Sequence, residues 1–399
     1  MFIEKIDVFC TSPGRTFVTV RITTSDGVVG YGDSTLNGRE QAVATYLRDH
    51  LVPMLIGHED GAIESCWQLL YRGVYWRRGA ITMAAIAGID MALWDIKAKR
   101  ANIPLYQLLG GRSRTGCLAY GHAFGKDIPN LVEHAHGLLE QGFKAVRLQA
   151  GIPGHDSNYG VPLPNQVDQG NLPVTEYWDT PSYLRFIPEV FSAARSELGE
   201  EVHLLHDSHH RLRPIEAARL AQDLEPYRLF WLEDCVPAEN QEVYRLIRSK
   251  TVTPLAVGEV FNTVWDAQTL VTEQLIDYLR MSITHGGGIT AMRKIFDFAS
   301  IYQVRSGIHG PEDVSPIGMA AAIHLDTALH NFGIQEYSGY QSLSMDVFTP
   351  DFTFESGMLF PGEAPGLGVS YDEELANAYP YERSYLPINR LRDGSVHDW

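Results

Sequence analysis

The sequence predicts a parallel α/β barrel preceded by a separate α+β domain. Three observations carry this prediction. Over residues 1–113, strand-like runs give way to a block of helical patterns. From about residue 114, eight short apolar runs recur, most followed by a polar loop and an amphipathic helix. Three of those runs end in an acid, and the three acids, Asp207, Glu233 and Glu259, stand in equal steps along the chain.

The elements follow in order. Residues 2–9 and 16–23 are rich in Phe, Ile, Val and Thr and predict strands. Ser25-Asp26-Gly27 is a turn signal between the second of these and VVGYGD, so a hairpin is expected there. Helical patterns cover 39–54, 62–73 and 80–100, and the segment closes at Gly110-Gly111, a helix stop. The eight later runs are CLAYGHAFG, KAVRLQA, EVHLLHD, LFWLEDC, PLAVGEV, YLRMSIT, VRSGIHG and GIQEYSG. A doubly wound sheet is the competing fold, but it would usually carry a Gly-rich phosphate loop after its first strand, and none stands there. Gly286-Gly287-Gly288 lacks the GxGxxG spacing and predicts a turn. Residues 150–181 are rich in Gly, Pro, Asn and Asp, which fits a lid or binding loop. The tail from about 345 to Trp399 shows no clear period.

Composition narrows the function. Hydrophobic residues make up 45% and charged residues 20%, which suits a full globular core. The net charge of −17 argues against nucleic acid as a partner, because phosphate binding wants a basic face. Cys10, Cys66, Cys117 and Cys235 form no CxxC pair and read as reduced thiols of a cytoplasmic protein. The N-terminal MFIEKIDVF is not a signal peptide, and no apolar run is long enough to span a bilayer.

The equal step of the acids matches about one βα unit, so each acid tips a successive strand and the side chains converge at the barrel's C-terminal mouth. One acid alone would more simply cap the following helix. Three in phase repel one another unless a cation lies between them. Separate carboxylates with open positions suit Mg2+ better than zinc.

The ladder resembles the metal triad of the enolase superfamily, and IDMALWDIKAKRANIPLYQLLGG resembles that superfamily's junction between capping domain and barrel. The mannonate dehydratase group, also called starvation-sensing proteins, is the closer match. HDSHHR (206–211), WLEDCVPAENQ (231–241), VGEVFN (257–262), THGGGIT (284–290), HGPEDVSP (309–316) and QEYSGY (335–340) carry it. The resemblance spans essentially the whole chain. It implies a (β/α)7β barrel over 114–344, capped by an α+β domain from 1–113 and completed by the segment 345–399.

The same resemblance implies a site. Asp207, Glu233 and Glu259 would hold one Mg2+. His209 would be a catalytic acid/base: it lies two residues past Asp207 and, if the strand continues, points to the same side. The lysine base of many relatives is absent, since the second strand reads AVRLQ, with Arg147 and Gln149. The His–acid pair of others is also incomplete, because RMSIT has no acid. The dehydratase group pairs an arginine with a lid tyrosine, and Arg147 and Tyr159 match those positions. A phenol, with an ordinary pKa of about 10, becomes a usable base only beside a fixed positive charge. Asn37, His122, Glu259, Arg280, His309, Asp313 and Glu336 would bind substrate, though Arg280 and Asp313 equally suit an inter-strand ion pair. Trp399 would fold back over the site.

The implied activity is dehydration of D-mannonate or D-gluconate to 2-keto-3-deoxy-D-gluconate, by α-proton abstraction, enediolate stabilisation and β-elimination. The resemblance also implies a symmetric homo-oligomer. Two alternatives stand beside it. One is a member with weak or no activity on common acid sugars, acting on another substrate or as a sensor, because Pro311 stiffens the loop between His309 and Asp313. The other is a barrel metallohydrolase, weakened by the lack of His-rich ligation.

Overall fold

Glycine decides how the N-terminal sheet is covered. A Cβ on Gly32 would stand 1.9 Å from the carbonyl oxygen of Gly88, and one on Gly30 would stand 2.3 Å from that of Ala92. Helix Ala80–Ala101 therefore lies directly against strand Val29–Asp33. That strand pairs antiparallel with Phe17–Thr24, which pairs antiparallel with Ile3–Thr11. The expected hairpin is present: Gly27 has φ +81°, and Thr24 N donates to Val28 O at 3.0 Å. Val18, Val20, Ile22, Leu47, Leu51, Ile86 and Ile89 form the core beneath.

One helical pattern differs from expectation and one is met. The pattern over 39–54 is broken into helix Glu40–Tyr46, a π turn at Leu47–Leu51 and helix Val52–Leu55, which carries Pro53 in its first turn. The helix expected over 80–100 is Ala80–Ala101; it stops at Asn102 (φ +54°) because Asn tolerates the left-handed conformation and Pro104 follows, and a separate short helix, Leu105–Leu108, leads to Gly110-Gly111.

This computed structural model describes residues 1–153, 155, 173, 175–384 and 386–398. The chain forms two units. The first comprises Met1–Leu118, Glu259–Ala267 and Arg280–Ser384. The second comprises Ala119–Gly258, Gln268–Leu279 and Tyr385–Trp399.

The second unit holds six of the eight predicted barrel strands. Cys117–Gly125 (from Ala119 on), Ala145–Ala150, His203–Asp207, Trp231–Glu233, Leu255–Val257 and Tyr278–Leu279 pair in parallel and in chain order. A doubly wound sheet would reverse its order at a switch point; this one does not. Helices Ile128–Glu140, Thr180–Leu198, Pro214–Asp223 and Tyr244–Arg248 connect successive strands. Asp127 and Asp179 cap the first two by accepting from Asn130 N (2.9 Å) and Ser182 N (3.2 Å). Strand Ala145–Ala150 is buried at every position, as in a sheet covered on both faces. A short strand, Thr175–Tyr177, pairs in parallel with Ile388–Arg390 of the tail.

The other two predicted strands, Arg305–Ser306 and Gln335–Glu336, belong to the first unit. Gly287 (φ +90°) and Gly288 (φ +85°) make the expected turn, which opens helix Gly288–Ile301. The tail without a period resolves into two short antiparallel pairs, Phe348–Pro350 with Val369–Tyr371 and Thr353–Glu355 with Met358–Phe360. Among the described residues, no helix is long and apolar enough to cross a membrane, and all four cysteines are free thiols.

Candidate active site

Parallel pairing sets the second unit's polar groups in rows. His122 is the register partner of Arg147, and Asp207 is the partner of Glu233. Because side chains alternate along a strand, Trp231 lies two residues below Glu233 on the same face. Trp231 stacks edge-on with Tyr120 at 5.5 Å and packs on Tyr278 at 5.0 Å. An aromatic row thus underlies the carboxylates and keeps water from them. The Trp231 indole N–H donates to Glu233 Oε2.

Asp207 and Glu233 are fully buried. Removing such ions from water costs several kcal/mol each unless charge is returned. Arg147 returns part of it: Nη1 lies 3.0 Å from Asp207 Oδ2 and 3.0 Å from Glu233 Oε1. Two acids against one guanidinium leave an excess of negative charge. One nitrogen reaches an oxygen of each acid, so a single positive centre can serve both. This buried, oxygen-only pair fits a hard divalent cation.

The other Arg147 nitrogen sets the neighbouring groups. Nη2 lies 3.3 Å from His122 Nδ1 and donates to Gln149 Oε1 at 3.2 Å. Arginine has no acceptor, so His122 Nδ1 accepts and its proton sits on Nε2. The Gln149 amide is likewise oriented, with its NH2 3.4 Å from His209 Nδ1. His209 Nε2 therefore carries the proton, 2.8 Å from Asp207 Oδ2. Gln149 holds this tautomer, a part that sequence reading missed; its place two residues after Arg147 on a buried strand was the available signal.

His209 does reach Asp207, but not by continuation of the strand. The strand stops at Asp207, and His209 (φ +46°) and His210 (φ +59°) are both left-handed. His209 N donates to Asp207 Oδ1 at 2.7 Å, so the turn brings the ring back. Asp207 does not cap the following helix, whose N-cap is Arg213. Buried beside it, His206 donates from Nδ1 to Leu148 O at 3.1 Å and accepts from the Tyr183 hydroxyl at 2.8 Å. Burial pushes its pKa down to about 4 and keeps it neutral.

The first unit builds a second cluster. Arg280, fully buried, donates from Nη1 to Glu259 Oε2 at 2.9 Å and from Nη2 to Glu336 Oε2 at 2.7 Å. The ion-pair expectation for Arg280 is therefore met. His309 Nε2 is 3.7 Å from Glu259 Oε2, and Gly310 N donates to Glu336 Oε2 at 3.0 Å. His285, not singled out in the sequence, donates from Nδ1 to Glu259 O at 3.3 Å; burial, then the nearby His309 ring, lower its pKa. Its signal was the THGGGIT motif. Asn37 donates to Asp313 Oδ2 at 3.4 Å, which joins two expected substrate residues. Arg15, also missed, pairs with Glu312 at 3.0 Å and lies 3.8 Å from Asp313. Tyr159 and Trp399 lie outside the described residues.

Residues 130–375 match the Enolase C-terminal domain-like family, and residues 8–110 match the Mandelate racemase / muconate lactonizing enzyme, N-terminal domain. The chain is 56% identical over 409 residues to a D-galactonate dehydratase family member of Pseudarthrobacter chlorophenolicus, covering 100% of both chains. It is 57% identical over 395 residues to a D-mannonate dehydratase of Caulobacter sp. (strain K31), covering 98% of each. A crystal structure of an enolase from Pantoea ananatis with bound D-gluconate and Mg superposes with a TM-score of 0.92 at 37% identity, over 100% of this chain and 99% of that one.

Proposed function

Because the chain belongs to the enolase superfamily, within its D-mannonate and D-galactonate dehydratase group, we propose that it is a Mg2+-dependent hydro-lyase that removes water from a sugar acid. The substrate class is a polyhydroxylated six-carbon acid such as D-mannonate or D-gluconate, and the product is 2-keto-3-deoxy-D-gluconate. The observation that carries this reading is the buried pair Asp207 and Glu233, register partners whose oxygens converge on one nitrogen of Arg147.

Asp207, Glu233 and Glu259 would hold the cation, and its chemistry when bound would be positive charge at the carboxylate end of the substrate. His209 is the acid on this reading: as the imidazolium it would give one proton to the departing hydroxyl and return to the neutral ring, whose remaining proton stays on Nε2 against Asp207. Arg147 provides the fixed positive charge that makes Tyr159 a base for the α-proton. Asn37, His122, Arg280, His309, Asp313 and Glu336 bind hydroxyls, each of which needs a partner once buried.

The same reading extends to the architecture. The fold of the whole chain is a (β/α)7β barrel over 114–344 with a capping domain from 1–113 and 345–399; the chain-order parallel pairing and the TM-score of 0.92 support it. The four free thiols suit a reducing cytoplasm. We extend it also to a symmetric homo-oligomer, measurable by light scattering.

The deciding experiment is a panel of acid sugars incubated with purified protein and Mg2+, read by a keto-acid assay. A 2-keto-3-deoxy product from D-mannonate or D-gluconate is expected. Silence across the panel would replace catalysis by a binding or sensing role. In Tyr159→Phe, exchange of the substrate's α-proton with solvent should stop; surviving exchange would assign the base elsewhere.

A further inference from the structure

The turn that carries His209 is strained, and its geometry has to be held from outside. Two consecutive non-glycine residues in the left-handed region cost about 1–2 kcal/mol each and persist only where the surroundings over-determine them. On the sheet side, His210 N donates to Asp234 O at 2.6 Å, His210 Nδ1 donates to Val236 O at 3.0 Å, and Leu212 N donates to Cys235 O at 3.2 Å. A further hold comes from the C-terminal tail, whose last described residues close on the same turn.

The tail reaches it through a short chain of contacts. Strand Ile388–Arg390 pairs with Thr175–Tyr177, and Trp178 N donates to Arg390 O at 2.8 Å. His397 N donates to Asn389 O at 2.9 Å, which turns the chain back. The His397 ring stacks on Trp178 with centroids 6.1 Å apart and planes at 13°. The Arg211 guanidinium lies 4.9 Å over the same indole, a cation–π contact. His397 Nε2 is 3.0 Å from Arg211 O; a carbonyl only accepts, so the imidazole donates in either protonation state. Arg211 is two residues beyond His209, and its own N–H closes the turn onto Ser208 O at 3.2 Å.

We infer that the tail positions His209, with His397 as the positioning residue: its hydrogen bond to the Arg211 carbonyl and its stack on Trp178 lock the left-handed turn that presents the His209 ring. This rests on the assignment of His209 as the proton donor of the dehydration. A hydroxyl and its acid must meet within a few tenths of an ångström, and a misplacement of about 1 Å can cost about 100-fold in rate.

The test uses the full-length, Mg2+-loaded protein as His397→Ala and His397→Gln, since a glutamine amide can still donate to the Arg211 carbonyl. In His397→Ala, backbone amides at 209–212 should exchange with solvent about tenfold faster, the loss of roughly one hydrogen bond, while those at 204–206 stay as in the wild type. On the sugar acid that the wild type dehydrates, kcat should fall about tenfold with little change in KM, and His397→Gln should restore both readouts. Unchanged exchange or unchanged kcat in His397→Ala overturns the inference, and so does an equal loss of protection throughout the second unit in both variants. If the wild type dehydrates no sugar acid, the functional reading fails instead, and the exchange measurement alone decides the positioning.

Discussion

Each unit buries an arginine between two carboxylates, and the two arrangements use the guanidinium differently. Arg147 offers a single nitrogen to both Asp207 and Glu233, so the two acids converge on one point. Arg280 offers one nitrogen to Glu259 and the other to Glu336, so it holds its two acids apart. Convergence on one point suits a shared cation, whereas bridging fixes where each acid stands: it makes Glu336 part of a frame and orients Glu259, the third acid of the proposed cation site. An arginine between two carboxylates therefore does two different jobs, and the difference lies in geometry that composition cannot report.

The contrast can be broken most sharply by replacing each arginine with lysine. A lysine ammonium is one compact charge and cannot bridge. Arg280→Lys should leave a buried carboxylate unpaired and cost about 3 kcal/mol of unfolding free energy. Arg147→Lys should cost only about 1 kcal/mol, because one ammonium can still serve both acids, although His122 and Gln149 lose a partner. Denaturant unfolding measures both, and the reverse order would sink the contrast.

Metal affinity gives the next largest effect. Glu233→Gln should weaken Mg2+ binding by about 100-fold or more, while Glu336→Gln, which removes a frame acid, should change it by less than about tenfold. Isothermal titration distinguishes them; equal losses would erase the distinction between convergent and bridged acids.

Acid, by contrast, should not separate the regions. Each buries a neutral imidazole, His206 in one and His324 in the other, and burial pushes both down to about 4. Tyr106 N donates to His324 Nδ1 at 3.3 Å, and His324 Nε2 donates to Leu367 O at 3.3 Å, so the neutral ring fills both roles. The unfolded imidazole takes its proton first as pH falls through about 6.5. The stability this ring contributes is complete above that pH and is lost between there and about 4, with about 1 kcal/mol gone by about pH 5.5. The slope of stability against pH over this window should flatten in His324→Gln; an unchanged slope would show that other groups govern acid unfolding.

The smallest effect belongs to Asn37, whose bond to Asp313 is 3.4 Å long. Asn37→Ala should raise KM about threefold with little change in kcat. A large fall in kcat would place Asn37 at the reacting atoms.

Much of this was legible before any coordinates. Short apolar runs, most followed by amphipathic helices, marked all eight strands, because a strand buried on both faces needs apolar residues at successive positions. Asp207 and Glu233 could be paired from spacing alone, since a parallel register carries equal steps into neighbouring strand tips. His209 was found for an incomplete reason: the left-handed turn after Asp207 depends on bonds to Asp234 and Val236, which lie outside the motif. Gln149 was read only as the absence of a lysine: its spacing from Arg147 put both on one strand face, but the orientation of its amide depends on the Arg147 and His209 side chains in space.

By itself, the sequence determined that Asp207 and Glu233 end strands, which acids fall in phase, where the long helix starts and where the first hairpin turns, at Gly27. These are local or periodic properties, set by alternation, capping and the size of a side chain. Only the tertiary structure decided that Arg147 converges two acids while Arg280 spreads two others, that Gln149 sets the His209 tautomer, and that His397 closes on the turn from the far end of the chain. Those outcomes rest on distances of a few ångströms between residues far apart in sequence. Hydrogen-bond and charge energies change sharply over that range, and no pattern along the chain encodes them.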